Sequence, residues 1–305
     1  MKFFLTGGTG FVGTALTKHL LEQGHEVTIL SRRPPSRPGA AAVRYLQGDP
    51  TKPGPWQQQV AEHDVVINLA GASIFMRWTE ENKKIIRDSR VLTTQNVVAA
   101  LAQAPARQTQ LLLSTSAIGY YGDRGEAELT EDDPPGQDFL AQVAQEWEQA
   151  ALAAQEEGIR TIVTRFGIVL GRGGGILASL VPLFKGFAGG PLGSGRQWFS
   201  WIDQTDQWRA FLFVLEHPDL SGVINFTSPH PVRNAELAKA LGEVLRRPSF
   251  LPTPAFLVKL VLGEFAEVAL GGQKVLPKRL LAAGFTFAYP TIEAALRHQL
   301  LEEAA

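Results

Sequence analysis

The chain has 305 residues, 45% hydrophobic and 19% charged, which suits one large α/β domain or two unequal ones. It contains no cysteine, so disulfides, thiolate metal sites and a cysteine nucleophile are excluded. The net charge of −1 leaves no electrostatic footprint for nucleic acid or an anionic membrane, and no apolar run approaches the roughly 20 residues of a span.

The first predicted element is a short apolar strand, Phe3-Phe4-Leu5. Gly7, Gly10 and Gly13 follow at intervals of three, and residues 14–23 carry helical spacing with Leu16, Leu20 and Leu21 on one side. A strand, a glycine turn and a helix in that order collect backbone N–H groups and the positive end of a helix dipole at one point, which suits a pyrophosphate. Thr6, Gly7, Gly8, Thr9, Gly10, Phe11, Val12 and Gly13 are therefore the candidate dinucleotide-binding turn. The leading residues form a strand rather than the basic flank and apolar stretch of a signal peptide, so a cytoplasmic protein is expected.

A second strand over 25–30 ends in Ser31-Arg32-Arg33. An NAD-preferring fold usually places an acid there for the ribose 2′-OH; here a hydroxyl and two guanidinium groups stand in its place, which favours NADP(H) over NAD(H). After a loop over 34–42 comes a strand over 43–46, ending at Gly48-Asp49. Asp49 either accepts from an adenine amino group or caps the next turn. Residues 64–69 form a continuous apolar strand, typical of a sheet covered on both faces. It ends in Leu69-Ala70-Gly71, where small residues let a cofactor approach.

A long helix is predicted over 79–104, capped by Thr79, and its four cations (Lys83, Lys84, Arg87, Arg90) read mainly as a solvated face. The strand over 110–116 ends in Ser114-Thr115-Ser116, at the sheet edge where such folds bind ligands. A helix over 138–157 and a strand over 159–165 complete a βα alternation, which implies a Rossmann-type doubly wound parallel sheet. From Gly171 the chain is glycine-rich, with helices expected over 176–187, 206–215, 234–245, 256–270 and 277–283, and a strand over 223–226. The division is a cofactor domain over 1–170, receiving sheet contributions from later segments, and a smaller α/β substrate lobe with a helical tail over 171–305. The histidines offer no metal-ligating spacing, so no metal site is expected.

These motifs resemble the extended short-chain dehydrogenase/reductases of the NAD-dependent epimerase/dehydratase superfamily. The likeness rests on Thr6-Gly-Gly-Thr-Gly-Phe-Val-Gly13, Asn68-Leu-Ala-Gly71, Ser114-Thr-Ser-Ala117, Gly122-Asp123, Arg165-Phe-Gly-Ile-Val-Leu-Gly171 and Asn225-Phe-Thr-Ser228. Arg77-Trp78-Thr79, Ser116-Ala-Ile-Gly-Tyr-Tyr-Gly122, Gly189-Gly-Pro-Leu-Gly-Ser-Gly195, Gln197-Trp198 and Ala283-Gly284-Phe285 are similar to its atypical "epimerase family protein" branch. That branch carries the labels nucleoside-diphosphate-sugar epimerase and cell-division inhibitor.

The resemblance implies a Ser or Thr, a Tyr and a Lys four residues later, with the Tyr as general acid/base. Ser116 takes the first position. The helix where the other two should fall has Phe139, Leu140, Val143 and Ala144 at its start and contains neither tyrosine nor lysine. Tyr120, Tyr121 and Asp123 are the candidate replacements. Trp78, Arg165, Gly167, Arg196 and Trp198 are the candidate substrate residues, with Trp201 a further aromatic. The family's arginine for a sugar-nucleotide diphosphate is replaced by Phe199, which weakens that substrate class.

The expected function is an NADP(H)-dependent oxidoreductase or epimerase acting on a small molecule, a nucleotide sugar being one class. The alternative is a cofactor-binding sensor or interaction protein without turnover. A homodimer is compatible with the superfamily's helix pairing.

Overall fold

The computed structural model describes residues 1–35, 43–103 and 109–301; most of the loop expected over 34–42 lies outside them. Seven strands form one wholly parallel sheet: β1 (Lys2–Thr6), β2 (Glu26–Ser31), β3 (Val43–Gln47), β4 (Val65–Asn68), β5 (Leu111–Ala117), β6 (Arg160–Phe166) and β7 (Gly222–Phe226). Their order is β7-β6-β5-β4-β1-β2-β3. The order reverses between β1 and β4, and the crevice at that switch point is where open α/β sheets take ligands. The long helices are α1 (Phe11–Glu22), α2 (Glu80–Ala102), α3 (Phe139–Leu152), α4 (Gly175–Lys185), α5 (Gln204–Glu216), α6 (Asn234–Leu245), α7 (Ala255–Leu262) and α8 (Ile292–Leu301).

Strand alternation builds two layers of core. Phe3, Leu5, Ile29, Ile67, Leu113 and Ile224 pack with Leu16 and Leu20 of α1 and Phe211 of α5 on one face. Phe4, Leu30, Val66 and Leu112 pack with Val97 and Leu101 of α2 on the other. Successive side chains of a strand point to opposite faces, so both faces of β1 are apolar because both are covered. The helices start where their caps dictate. Thr79 accepts from the Asn82 N–H, Asp138 from Ala141 and Asp203 from Thr205, each satisfying an otherwise orphaned first-turn donor.

The chain beyond residue 170 is divided between two cores. α5 and β7 return to the main sheet, with Leu280 and Phe285 joining the same cluster. The smaller lobe has its own core of Leu170, Leu177, Phe184, Trp201, Leu237, Leu241, Ile292 and Leu296. The helix expected over 256–270 is broken: α7 ends at Leu262, and Gly263 at φ +59° turns the chain into a 3-10 segment. Helix α8 lies in the expected helical tail, beyond the last helix whose bounds the sequence delimited. Asp203 holds it by accepting from Gln299 (2.9 Å). Among the described residues no helix is long and apolar enough to cross a membrane.

Candidate functional site

The glycine turn lies at the switch point. Gly7 has φ +68°, and a Cβ there would meet the Leu69 carbonyl carbon and oxygen at 2.7 Å, so the turn is held against the end of β4. A Cβ on Gly13 would stand 2.4 Å from the Gly7 oxygen, so α1 packs on the turn at a distance only glycine permits. Gly10 precedes α1 without a side-chain cap, which leaves first-turn N–H groups aimed outward. Thr9 and Gly10 are exposed, whereas Gly8 is buried against the Ile29 side chain. These features fit the pyrophosphate of a dinucleotide.

Not every residue of the expected turn contributes a side chain. Thr6 and Ser114 are fully buried. Thr6 Oγ1 donates to Asn68 Oδ1 (2.6 Å), and Asn68 Nδ2 donates to Thr94 Oγ1 (2.7 Å) and Ser114 Oγ (3.1 Å). This neutral network ties β1, β4, β5 and α2 together beneath the loop, and the Ala70 N–H donates back to Thr6 Oγ1 (3.3 Å). The hydroxyls of Thr6 and Ser114 therefore support the cradle from below. The Phe11 ring turns away from the cradle and packs beneath Gly171, Gly174 and Gly175.

At the end of β2, Arg32 and Arg33 are exposed and Ser31 is half-buried. Asp49 caps its own turn, Oδ1 accepting from the N–H (3.0 Å) and hydroxyl (2.7 Å) of Thr51. Partial burial opposes its charge, but these bonds and the nearby Arg32 hold its carboxyl below the ordinary range. Gly71 faces the Arg90 guanidinium, which donates to the carbonyls of Ile86 (2.9 Å) and Ala72 (3.0 Å) and lies over Trp147. Burial pushes the Arg90 pKa down to about 10. Arg90 thus pins the loop after β4 instead of joining a solvated face.

The ends of β5 and β6 carry a second network, made of charges. Ser116 Oγ donates to Glu148 Oε1 (2.6 Å), and Arg165 grips Glu148 through two bonds (2.8 and 2.7 Å). Arg165 also donates to the Tyr121 hydroxyl (2.9 Å), which donates to Asn225 (2.8 Å). Burial works against the Arg165 charge, yet the Glu148 carboxylate outweighs it and the pKa is raised.

Three expected site residues are corrected, two by this network and one by its packing. Tyr121 is fully buried, both functions of its hydroxyl are engaged, and burial pushes its pKa up to about 12; it is a structural tyrosine. Arg165 is 3% exposed and committed to Glu148, so it does not reach a substrate. Gly167 is closed off by Thr227 and the Ser200 carbonyl. Trp201 is likewise core.

Tyr120 differs from its neighbour. Its half-buried ring stacks on the Arg165 guanidinium (3.3 Å to the centroid), and its hydroxyl has no hydrogen-bond partner among the described residues. Asp123 is exposed and accepts from Gly125. Trp78 meets Phe139 at the start of α3 edge-on (5.2 Å) and packs against Phe265 of the smaller lobe (5.6 Å). Trp198 is covered by Arg233 (3.7 Å) and Lys274 (4.8 Å), while Arg196 is exposed beside it. Glu148 and Phe265 were not singled out in the sequence: neither belongs to a spaced motif, and only the fold brings them to the site.

Residues 3–226 match the NAD dependent epimerase/dehydratase family, and residues 253–299 match a domain of unknown function, DUF1731. The chain is 42% identical over 302 residues to the chloroplastic epimerase family protein SDR39U1 homolog of Arabidopsis thaliana, covering 97% of this chain and 86% of that one. It is 39% identical over 299 residues to the epimerase family protein YfhF of Bacillus subtilis, with 97% of each covered. The crystal structure of human epimerase family protein SDR39U1 (isoform 2) with NADPH superposes with a TM-score of 0.87 at 35% identity, covering 98% of this chain and 99% of the other. The glycine cradle, the whole-length match and the shared C-terminal segment agree: the chain belongs to the NAD dependent epimerase/dehydratase family, among its SDR39U1-like epimerase family proteins.

Proposed function

We propose that the chain binds NADP(H) in preference to NAD(H) and is an atypical short-chain oxidoreductase. The observation that carries this reading is the backbone cradle at Gly7 to Gly13, followed at the end of β2 by Ser31-Arg32-Arg33 with no carboxylate among them. The NADPH bound by the human relative supports it. A guanidinium fork matches a 2′-phosphate, whereas an NAD site wants an acceptor there.

A bound nicotinamide supplies or accepts a hydride at a substrate carbon. The chain's own part is to hold that substrate and move a proton. Ser116 is 2% exposed and donates its proton to Glu148, so like Arg165 it braces the buried network instead of meeting a substrate. Tyr120, stacked on Arg165, is the uncommitted phenol beside this network and is assigned the proton donor's role in reduction. Trp78 and Phe139 form an apolar wall where the family's dyad would stand.

The second reading, a cofactor-binding protein without turnover, is favoured by one specific observation. The first turns of α3 present Phe139, Leu140, Val143 and Ala144, and residues 139–144 include no ionisable side chain.

Binding and turnover separate the two. NADPH is expected to bind at least about tenfold tighter than NADH, consistent with charge-assisted phosphate contacts, and Arg32→Ala should remove most of that difference in calorimetric titrations. Equal affinities would overturn the NADP assignment. With NADPH deuterated at the transferred position and a panel of carbonyl compounds and sugar nucleotides, label should move to a substrate, and Tyr120→Phe should abolish the transfer without weakening NADPH binding. No label movement with any of them would support the second reading.

A further inference from the structure

Helix α7 is apolar along nearly its whole length, AFLVKLVL, yet only Val258 is buried and six of its eight residues are exposed. Phe256 is 68% exposed, and Leu260 and Val261 are both 79% exposed. The strip just before the helix continues the surface with exposed Phe250 and Leu251. That strip is fixed to the smaller lobe, because the Thr253 N–H donates to the Pro191 carbonyl and the Gly193 N–H to the Thr253 carbonyl (2.8 Å each). Leu183 in the last turn of α4 and Phe187 in the turn after it are both at least half exposed, with Arg247 lying over the Phe187 ring at 5.0 Å. Phe187 stands at φ +63°, a backbone conformation unfavourable for an aromatic residue, and still presents its ring to solvent.

An apolar surface of this extent marks a contact with something other than water. Its charges identify the contact. Segments 183–190 and 246–262 carry Lys185, Arg246, Arg247 and Lys259 and no aspartate or glutamate. None of the four has an ion-pair partner among the described residues. The whole-chain charge of −1 averages this face away. Of the nearest acids in sequence, Glu243 pairs with Lys239 and Glu264 with Lys83, so a second copy would bring exposed Glu267 alone of the three to meet these four cations. Large apolar side chains flanked by unpaired cations are instead the pattern of a helix lying in the interface of an anionic bilayer, with stems buried among acyl chains and charges at the headgroups.

We propose that α7, with the 246–254 strip and the Phe187 turn, is a peripheral membrane-binding surface for anionic lipid. The full chain should co-sediment with vesicles of phosphatidylcholine and phosphatidylglycerol mixed two to one, and much less with phosphatidylcholine alone. High salt should weaken the binding. The double variant Phe256→Ser/Leu260→Ser should abolish it, and each of Arg246→Ala and Lys259→Ala should weaken it roughly fivefold, about 1 kcal/mol for a cation near the surface. Unchanged thermal unfolding and NADPH affinity in these variants would show that they fold, since all four residues are exposed. Absence of the wild-type chain from the anionic pellet would overturn the proposal. So would a dimer in solution that Phe256→Ser/Leu260→Ser converts to monomer, because a second copy would then occupy the face.

Discussion

Two neighbouring stretches of one sheet edge treat their polar groups in opposite ways. At β1 and β4 the side chains are neutral and buried (Thr6, Asn68, Thr94, Ser114), and the groups left facing out are backbone N–H donors. At β5 and β6 the cluster is built on one buried ion pair, Arg165 with Glu148, and Ser116, Tyr121 and Asn225 turn inward onto it. The first arrangement keeps capacity for a ligand. The second spends its capacity on holding α3, β5, β6 and β7 together, and among the described residues Tyr120 is the neighbouring phenol it leaves without a hydrogen-bond partner. A perturbed, densely bonded cluster beside a cleft need not be its catalytic centre.

The contrast can be broken most forcefully at Arg165. Arg165→Met strands the buried Glu148 carboxylate and should cost about 3–5 kcal/mol of stability in urea unfolding, whereas adding Glu148→Leu should recover much of it. A loss below about 1 kcal/mol would mean the network is solvated in solution. Gly7→Ala attacks the other stretch. A side chain at φ +68° against the Leu69 carbonyl should cost about 1–2 kcal/mol in stability, with a loss of NADPH affinity exceeding tenfold. Folding should suffer first in one stretch and binding first in the other.

The smallest expected effect is a pH dependence of the neutral half. His63 bonds to Thr28 Oγ1 and to the Gln59 carbonyl (2.8 Å each), and burial lowers its pKa from the ordinary value of 6.5. The unfolded chain then takes up the proton at higher pH than the native one. Stability from His63 is full above about pH 6.5 and falls away as pH drops through the folded pKa, by about 1 kcal/mol or less. His63→Gln should flatten that part of the stability profile; an unchanged slope would place the titration elsewhere.

The parts legible in the sequence were those whose cause is local. The glycine turn, the Thr79 and Asp138 caps and the apolar strands depend on neighbours in sequence, and the seven-stranded doubly wound sheet follows from their alternation. The charged network was not legible because its partners come from separate elements: Ser116 meets Glu148 across 32 positions, and Tyr121 meets Asn225 across 104. For the same reason Arg165 and Tyr121 read as ligand-facing when they are buried. Short strands such as Trp198–Phe199 and Trp201–Asp203 are too brief to show a period, and α8 is anchored by Asp203, which lies 96 positions from its partner Gln299. The apolar run of α7 was visible, but exposure is a property of the fold.

Phe11 gives the glycine turn a reach beyond its own domain. Its ring is wedged under Gly171, Gly174 and Gly175, so close that a Cβ on Gly174 would lie 2.2 Å from it. The first residue of the dinucleotide helix is thereby also a floor for the loop leading into the smaller lobe. Any shift of that helix on ligand entry is felt at Gly171 to Gly175, and any closure of the lobe is felt at the turn. If that contact differs between the free and bound states, two ligands that share it have a coupling free energy, and it must be the same whichever binds first.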